Sequence, residues 1–137
     1  MARILAFDYG LSRTGIAVTD PLQIIASPLE TVPTDQLWEY LHRYLQKEEV
    51  EAFVVGYPLK ADGSPTHSTT AVDAFIQELK QRYPHIALHT VDEYGSSKDA
   101  VRAMIAGGTK QKYRRQKGNI DRTAATLLLQ EFLQHRL

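Results

Sequence analysis

The sequence predicts an α/β fold: a mixed five-stranded sheet, three antiparallel strands followed by parallel ones, flanked by helices. Three apolar segments at 3–9, 14–19 and 24–31 predict strands. The turn between the first two is so short that it favours an antiparallel hairpin. Pro28 indicates that the third strand lies at an edge or contains an irregularity. Helical and strand patterns then alternate, which is typical of parallel strands joined by helical crossovers.

The elements after the third strand follow from hydrophobic periodicity. A helix from Thr34 or Asp35 to about residue 49 carries its apolar side chains at helical spacing. Residues 52–56 are wholly apolar, as expected for a central strand covered on both faces. The remaining predicted elements are a loop at 57–66, a helix at 68–82, a strand at 86–91, a helix from Ser96 or Ser97 to about 106, and a final helix at 120–135.

The composition limits the class of protein. A chain of 137 residues predicts one domain, spanning 1–137, with a single sizeable core. The absence of cysteine excludes a disulfide scaffold, a thiol nucleophile and any cysteine-ligated metal site. No apolar run approaches the roughly 20 residues that a bilayer span requires. We therefore expect a soluble cytoplasmic protein without a membrane partner.

The formal net charge is zero, but the cations are unevenly distributed along the chain. Five cations and no acid fall within the eight residues 110–117, and they are Lys110, Lys112, Arg114, Arg115 and Lys117. Local charge, rather than the total, sets the local electrostatic potential. This basic segment could be an ordinary solvated surface. It could also be an arm that contacts the phosphates of a nucleic acid.

Three acidic residues are predicted to stand at the ends of elements. Asp8 ends the first strand, Glu93 follows the last strand, and Asp121 stands at the start of the final helix. If the first strand is central, the three carboxylates could converge at one edge of the sheet, where they would repel one another. A hard divalent cation such as Mg²⁺ or Mn²⁺ relieves that repulsion and prefers oxygen ligands. A metal-bound water can then attack phosphorus.

Each of the three acids also has a plainer interpretation. Asp8 could satisfy backbone donors of the turn at Gly10, and Glu93 could be a solvated acid. Asp121 could cap the final helix and interact with its dipole. Four further acids are candidates for the site, but their predicted positions support it less well, and they are Asp20, Asp62, Asp92 and Asp99. Spacing alone therefore leaves the metal triad open.

Several motifs follow one another in a specific order. A strand ends in Asp8-Tyr9-Gly10, and Arg13 and the segment GIAVTD at 15–20 come next. The later motifs are Gly56, Pro58 and Leu59, then Asp62-Gly63-Ser64, Asp92-Glu93, the basic segment, Asp121, Ala124-Ala125 and Leu128-Leu129-Gln130. Together they cover nearly the whole chain and resemble the YqgF family, also called RuvX-like, of RNase H-like nucleases.

The resemblance implies an RNase H-like fold and metal-dependent hydrolysis of phosphodiester bonds. It also implies that Asp8, Glu93 and Asp121 are the catalytic acids and the ligands of Mg²⁺ or Mn²⁺. The family is linked to maturation of the small-subunit ribosomal RNA precursor, and to the resolution of Holliday junctions. We expect the substrate backbone to be bound by cations, and those residues are Arg13, Lys112, Arg114, Arg115 and Lys117.

The leading hypothesis is therefore a metal-dependent nuclease that processes pre-16S ribosomal RNA in ribosome biogenesis. Structured RNA is the favoured substrate, and branched DNA is the alternative. A resolvase acting on a two-fold junction needs two active sites, and therefore a dimer. Because nothing in the sequence marks a dimer surface, we expect a monomer or a weak dimer.

Two further classes of protein stay open. The family commonly has Arg-Leu after the Asp-Glu pair, whereas this chain has Tyr94-Gly95. A tyrosine cannot supply the positive charge of an arginine, which motivates a non-catalytic nucleic-acid-binding factor on the same fold. An aspartate and glycine at this spacing, before a small-residue strand, also begin actin-like ATPase domains. Those proteins need two such domains around a nucleotide, and this chain is too short for them.

Overall fold

Five strands form one mixed sheet in the computed structural model, which describes residues 2–58, 69–93 and 117–135 and, at 117–123, the backbone alone. The described elements are β1 (Arg3–Asp8), β2 (Arg13–Thr19), β3 (Ala26–Pro33), a 3₁₀ turn (Thr34–Gln36), α1 (Leu37–Lys47), β4 (Val50–Pro58), α2 (Thr69–Arg82), β5 (Ala87–Glu93) and α3 (Lys117–His135). None of the described helices is long and apolar enough to cross a membrane.

The strand order is β3-β2-β1-β4-β5, which puts β1 at the centre of the sheet. Strand β2 pairs antiparallel with both β1 and β3. Strand β4 pairs parallel with both β1 and β5. This arrangement confirms the predicted fold class. Because β1, β4 and β5 are parallel, their carboxyl ends lie at the same edge of the sheet.

The two faces of the sheet carry side chains of different size. Large side chains such as Phe7 and Phe53 pack against α1 and α2, and the ring of Phe7 lies 5.5 Å from that of Phe75 in α2. Small side chains occupy much of the face beneath α3, and they include Ala6, Ala17 and Ala52, packed with Ala125 and Leu129 of the helix. Small residues permit α3 to approach the sheet closely.

Strand β3 begins two residues later than the sequence pattern predicts. The carboxylate of Asp20 accepts hydrogen bonds from the N–H groups of Ile24 and Ile25, at 2.8 and 2.7 Å. These bonds hold both isoleucines in the β2–β3 loop. The expectation from Pro28 is confirmed, because β3 is an edge strand and its register with β2 shifts beside Pro28.

Other element boundaries also differ from the sequence pattern. The helix predicted from Thr34 or Asp35 begins with the 3₁₀ turn Thr34–Gln36 and becomes α-helical at Leu37, and the hydroxyl of Thr34 donates a hydrogen bond to the carbonyl of Gly10 rather than capping the helix. Strand β4 extends to Pro58, since its last three residues continue to pair with β5 beyond the end of its pairing with β1. The helix predicted from Ser96 or Ser97 lies outside the described residues.

Candidate active site

Strand β4 lies between the two acids that end their strands. Asp8 is the last residue of β1, and Glu93 is the last residue of β5. Along β4, Val55 pairs with Phe7, and Pro58 pairs with Glu93. Gly56 of β4 therefore stands level with the end of β1.

Strand alternation places both acids on the face covered by α3. Ala6, Val54 and Val91 belong to the core beneath that helix. Side chains two positions apart on a strand share a face. The next residues on this face are Asp8 of β1, Gly56 of β4 and Glu93 of β5. Asp8 and Glu93 are both partly buried.

The absence of a side chain at Gly56 makes room for the carboxylate of Glu93. A Cβ atom added to Gly56 would lie 2.9 Å from Oε2 of Glu93 and 2.7 Å from Cδ1 of Leu128 in α3. Both distances are shorter than real contacts of a Cβ atom allow. The Glu93 carboxylate therefore lies over β4, on the side of β5 that faces β1 and Asp8.

Sequence reasoning did not assign Gly56 a part in the site. The available signal was a glycine at the end of an otherwise apolar central strand. Such a glycine often marks a close approach of another group to the backbone. Only the register of β4 with β1 and β5 shows that the approaching group is a carboxylate.

Arg13 begins β2 at the same edge of the sheet. Gly15 of β2 pairs with Asp8 of β1, and Arg13 is two residues before Gly15. Alternation along β2 from Ala17, which packs beneath α3, puts Arg13 on the α3 face as well. Arg13 is partly buried, so one predicted substrate-binding cation lies on the same face and edge as the two acids.

Tyr9 and Tyr57, which directly follow Asp8 and Gly56, attach this edge of the sheet to α2. The ring of Tyr9 stacks on Phe75 with centroids 4.4 Å apart. The hydroxyl of Tyr57 donates a hydrogen bond to the Asp73 carboxylate, and that bond raises the pKa of Tyr57. A site supported by packed elements holds its side chains more precisely than a site on loops.

The other predicted site residues fall partly outside the described structure. Asp121 lies in the second turn of α3, because the helix begins three residues earlier than predicted, and its side chain is not described. Lys112, Arg114 and Arg115 lie outside the described residues, and Lys117 is the first residue of α3. Within the described residues no three acids or histidines are grouped as a metal site.

Two of the weaker acidic candidates take other positions. Asp92 pairs with Tyr57, is exposed, and by alternation lies on the opposite face from Glu93. Asp20 accepts backbone hydrogen bonds at the other end of the sheet. Asp62 and Asp99 lie outside the described residues.

A known structure has a similar fold. RuvC of T. thermophilus, solved in complex with a Holliday junction substrate, superimposes with a TM-score of 0.56. The match covers 98% of each chain at 16% sequence identity. This likeness, together with the mixed sheet, shows an RNase H-like fold.

Sequence comparison then identifies the family. The RuvX family model, described as a Holliday junction resolvase, matches residues 2–135. A relative from Amoebophilus asiaticus is 47% identical over 133 residues, covering 97% of this chain and 94% of the relative. One from Christiangramia forsetii is 46% identical, covering 97% and 98%. Both carry the name "Putative pre-16S rRNA nuclease". The chain belongs to the RuvX family of nucleases.

Proposed function

We propose that this protein is a metal-dependent nuclease that cuts the pre-16S ribosomal RNA during ribosome biogenesis. Membership of the RuvX family and the names of its relatives support this function. The observation that carries the proposal is the carboxylate of Glu93 lying over Gly56, on the same face and edge of the sheet as Asp8.

The acids at this edge fit a hard divalent cation. Two carboxylates directed to one face repel each other unless a cation or a proton compensates them. Carboxylate oxygens are the ligands that Mg²⁺ and Mn²⁺ prefer. Asp8, Glu93 and Asp121 would hold the ion, with Asp121 coming from α3, one turn before the buried Ala125. The bound ion would activate a water and offset the charge that develops at phosphorus.

The cations would position the RNA backbone at the acids. An arginine guanidinium can bind a phosphate through two parallel hydrogen bonds, which orients as well as attracts it. Arg13 lies where it can do this beside Asp8. The basic segment would extend the contact through Lys112, Arg114, Arg115 and Lys117. Backbone contacts read no sequence, so selectivity would come from the shape of the RNA.

The same proposal implies a cellular location, a domain organisation and an oligomeric state for the protein. Cleavage of a ribosomal RNA precursor would take place in the cytoplasm, with 1–137 acting as one domain. Hydrolysis at one phosphate needs one active site, so a monomer or weak dimer suffices. A two-fold DNA junction would require two sites in a symmetric dimer.

The test is cleavage of a labelled pre-16S RNA fragment by wild type and Asp8→Asn, with Mg²⁺, with Mn²⁺ and with chelator. We expect metal-dependent cutting by wild type and a rate lower by about 100-fold or more in Asp8→Asn, because a metal contributes several kcal/mol at the transition state. Circular dichroism should show that the variant remains folded. Equal rates for the two proteins would contradict the assignment of Asp8.

The description of the family model favours a second candidate, the resolution of four-way DNA junctions. A synthetic junction in the same assay decides between the two substrates. Cutting of the junction without cutting of RNA would favour the resolvase. Binding without cutting under every metal condition would instead leave a non-catalytic nucleic-acid-binding factor.

A further inference from the structure

The turn between β1 and β2 presents an aliphatic side chain beside the candidate active site. Leu11 is 75% exposed. It follows Asp8 by three residues, so their Cα atoms lie within about 11 Å of each other at ~3.3–3.6 Å per residue. An exposed leucine is by itself ordinary. The way in which the turn is held is more informative.

Hydrogen bonds to Thr34 attach the turn on both sides of Leu11. The Thr34 hydroxyl donates to the carbonyl of Gly10, and the Thr34 N–H donates to the carbonyl of Ser12 at 3.0 Å. A Cβ atom on Gly10 would lie 2.5 Å from the carbonyl oxygen of Arg13, so this tight turn requires glycine.

Packing fixes the turn from the β1 side as well. Tyr9 stacks on Phe75, which is 3% exposed in the core beneath α2. The backbone before and after Leu11 is therefore anchored. Because the backbone on both sides of it is held, Leu11 stays exposed at the edge of the sheet that carries Asp8 and Glu93.

We propose that Leu11 packs against an unstacked RNA base beside the phosphate that is cut. This inference rests on the proposed nuclease function. A leucine cannot bind phosphate, but an aliphatic side chain can insert at a base step and hold the bases apart. Sequence-selective RNA recognition also depends on bases that have left the stack. Leu11 thus makes the site selective for RNA with an unstacked nucleotide next to the cleavage point.

The size of the apolar tip favours a base over a protein partner. A stable protein interface buries about 800 Å² on each partner. The tip of this turn offers one large apolar side chain, flanked by Gly10 and Ser12. One leucine matches the face of one base.

The experiment measures base unstacking separately from cleavage. A pre-16S RNA fragment carries the fluorescent base 2-aminopurine on either side of the mapped cleavage point. It is bound by Asp8→Asn, which is expected to cut at least about 100-fold more slowly, so that fluorescence is read before cleavage. We expect fluorescence to rise at one flanking position on binding. In Asp8→Asn/Leu11→Ala that rise should be lost, and affinity should fall about 5-fold, as expected for the loss of one apolar contact.

Two matched variants sharpen the result. Leu22→Ala removes another exposed leucine, 58% exposed and at the other end of the sheet, and should change neither fluorescence nor affinity. Leu11→Phe should restore the fluorescence rise, because an aromatic ring stacks on a base. In the cleaving enzyme, Leu11→Ala should raise KM more than it lowers kcat.

The outcomes separate this inference from the proposed function. If wild type cuts the RNA, and Leu11→Ala unstacks and binds it equally well, Leu11 makes no base contact and only this inference fails. A lower kcat with unchanged fluorescence would also overturn it, since Leu11 would then act through the shape of the turn. If wild type neither binds nor cuts RNA, the proposed function itself fails.

Discussion

Asp8 and Asp20 both stand at the end of an apolar strand, but at opposite ends of the sheet, and their surroundings differ. Around Asp20, at the amino end of β1, the carboxylate accepts hydrogen bonds from three backbone N–H groups at 3.1, 2.8 and 2.7 Å, and the donors are Leu22, Ile24 and Ile25. The bond from Ile25 is the main reason that the pKa of Asp20 lies below its ordinary value.

In the rest of the Asp20 loop, the side chain of Gln23 supplies the hydrogen-bond donor. Gln23 has a φ of 60°, in the left-handed region that few side chains adopt. Its Nε2 donates to the carbonyl of Ala2 at 2.8 Å and to a carboxylate oxygen of Glu51 at 2.6 Å. Asp20 therefore organises a loop in which the backbone supplies the compensating dipoles.

At the opposite end, Asp8 shares its face with a second carboxylate, that of Glu93, and with Arg13. Glu93 reaches over Gly56, where a side chain would block it. Backbone amides stabilise a single charge, whereas paired carboxylates favour a cation. An acid that follows a strand can therefore either hold a loop or take part in chemistry, and the groups around it determine which of the two it does.

The largest change in cleavage rate is expected for substitution of Glu93, and little change is expected for its neighbour Asp92. Glu93→Gln should lower the rate of RNA cleavage by about 100-fold, because it removes a charge that would hold the metal. Asp92→Asn should remain within about 2-fold of wild type, since Asp92 is exposed on the opposite face. Single-turnover cleavage at saturating Mg²⁺ measures both. A slow Asp92→Asn with a normal Glu93→Gln would reverse the assignment of the two faces.

Substitution of Gly56 tests whether the space beneath Glu93 matters. In Gly56→Ala the new Cβ would meet both Glu93 and Leu128 at less than 3 Å. We expect cleavage to slow about 10-fold or more, as for a displaced catalytic group. Overpacking should also lower the free energy of unfolding by about 1–3 kcal/mol. Urea unfolding and cleavage rates measure the two effects.

A double-mutant cycle shows which neighbour transmits the effect of Gly56→Ala. If the alanine acts by displacing the carboxylate, it should slow cleavage far less in the Glu93→Gln background than in wild type. Its effect on stability should persist there, because contact with Leu128 is unchanged. Additive losses of activity would mean that Gly56 and Glu93 act separately.

The smallest expected effect concerns the loop at the other end of the sheet. Asp20→Asn should lower stability at pH 7 and leave the cleavage rate unchanged. Because the pKa of Asp20 is lowered in the folded protein, its stabilising effect is present above the unfolded pKa of about 3.9. That effect is lost as the pH falls through the lower folded pKa.

Urea unfolding of wild type and Asp20→Asn from pH 7 to pH 3 measures this dependence. The two curves should separate at neutral pH and draw together at the acid end of the range. A constant separation at every pH would show that the charge of Asp20 has no part in holding the loop. Loss of cleavage in a folded Asp20→Asn would contradict the conclusion that Asp20 serves loop structure while the acids at the other end of the sheet serve chemistry.

Much of the fold followed from local pattern. Alternation and apolar runs predicted all five strands, because a strand in a buried sheet needs apolar residues wherever it is covered. The apolar segment at 24–31 predicts that Ile24 and Ile25 belong to the third strand. They lie in the loop instead, since the side chain of Asp20 competes for their N–H groups.

The sequence by itself determined the strands, the described helices, the acidic residues at Asp8 and Glu93, and the family motifs. These properties depend on near neighbours in the chain or on residue identity. The tertiary structure decided that Glu93 crosses a glycine toward Asp8, and that Leu11 stands on an anchored turn at the same edge. Strand order and register set those contacts, and they arise from pairing between segments far apart in the chain.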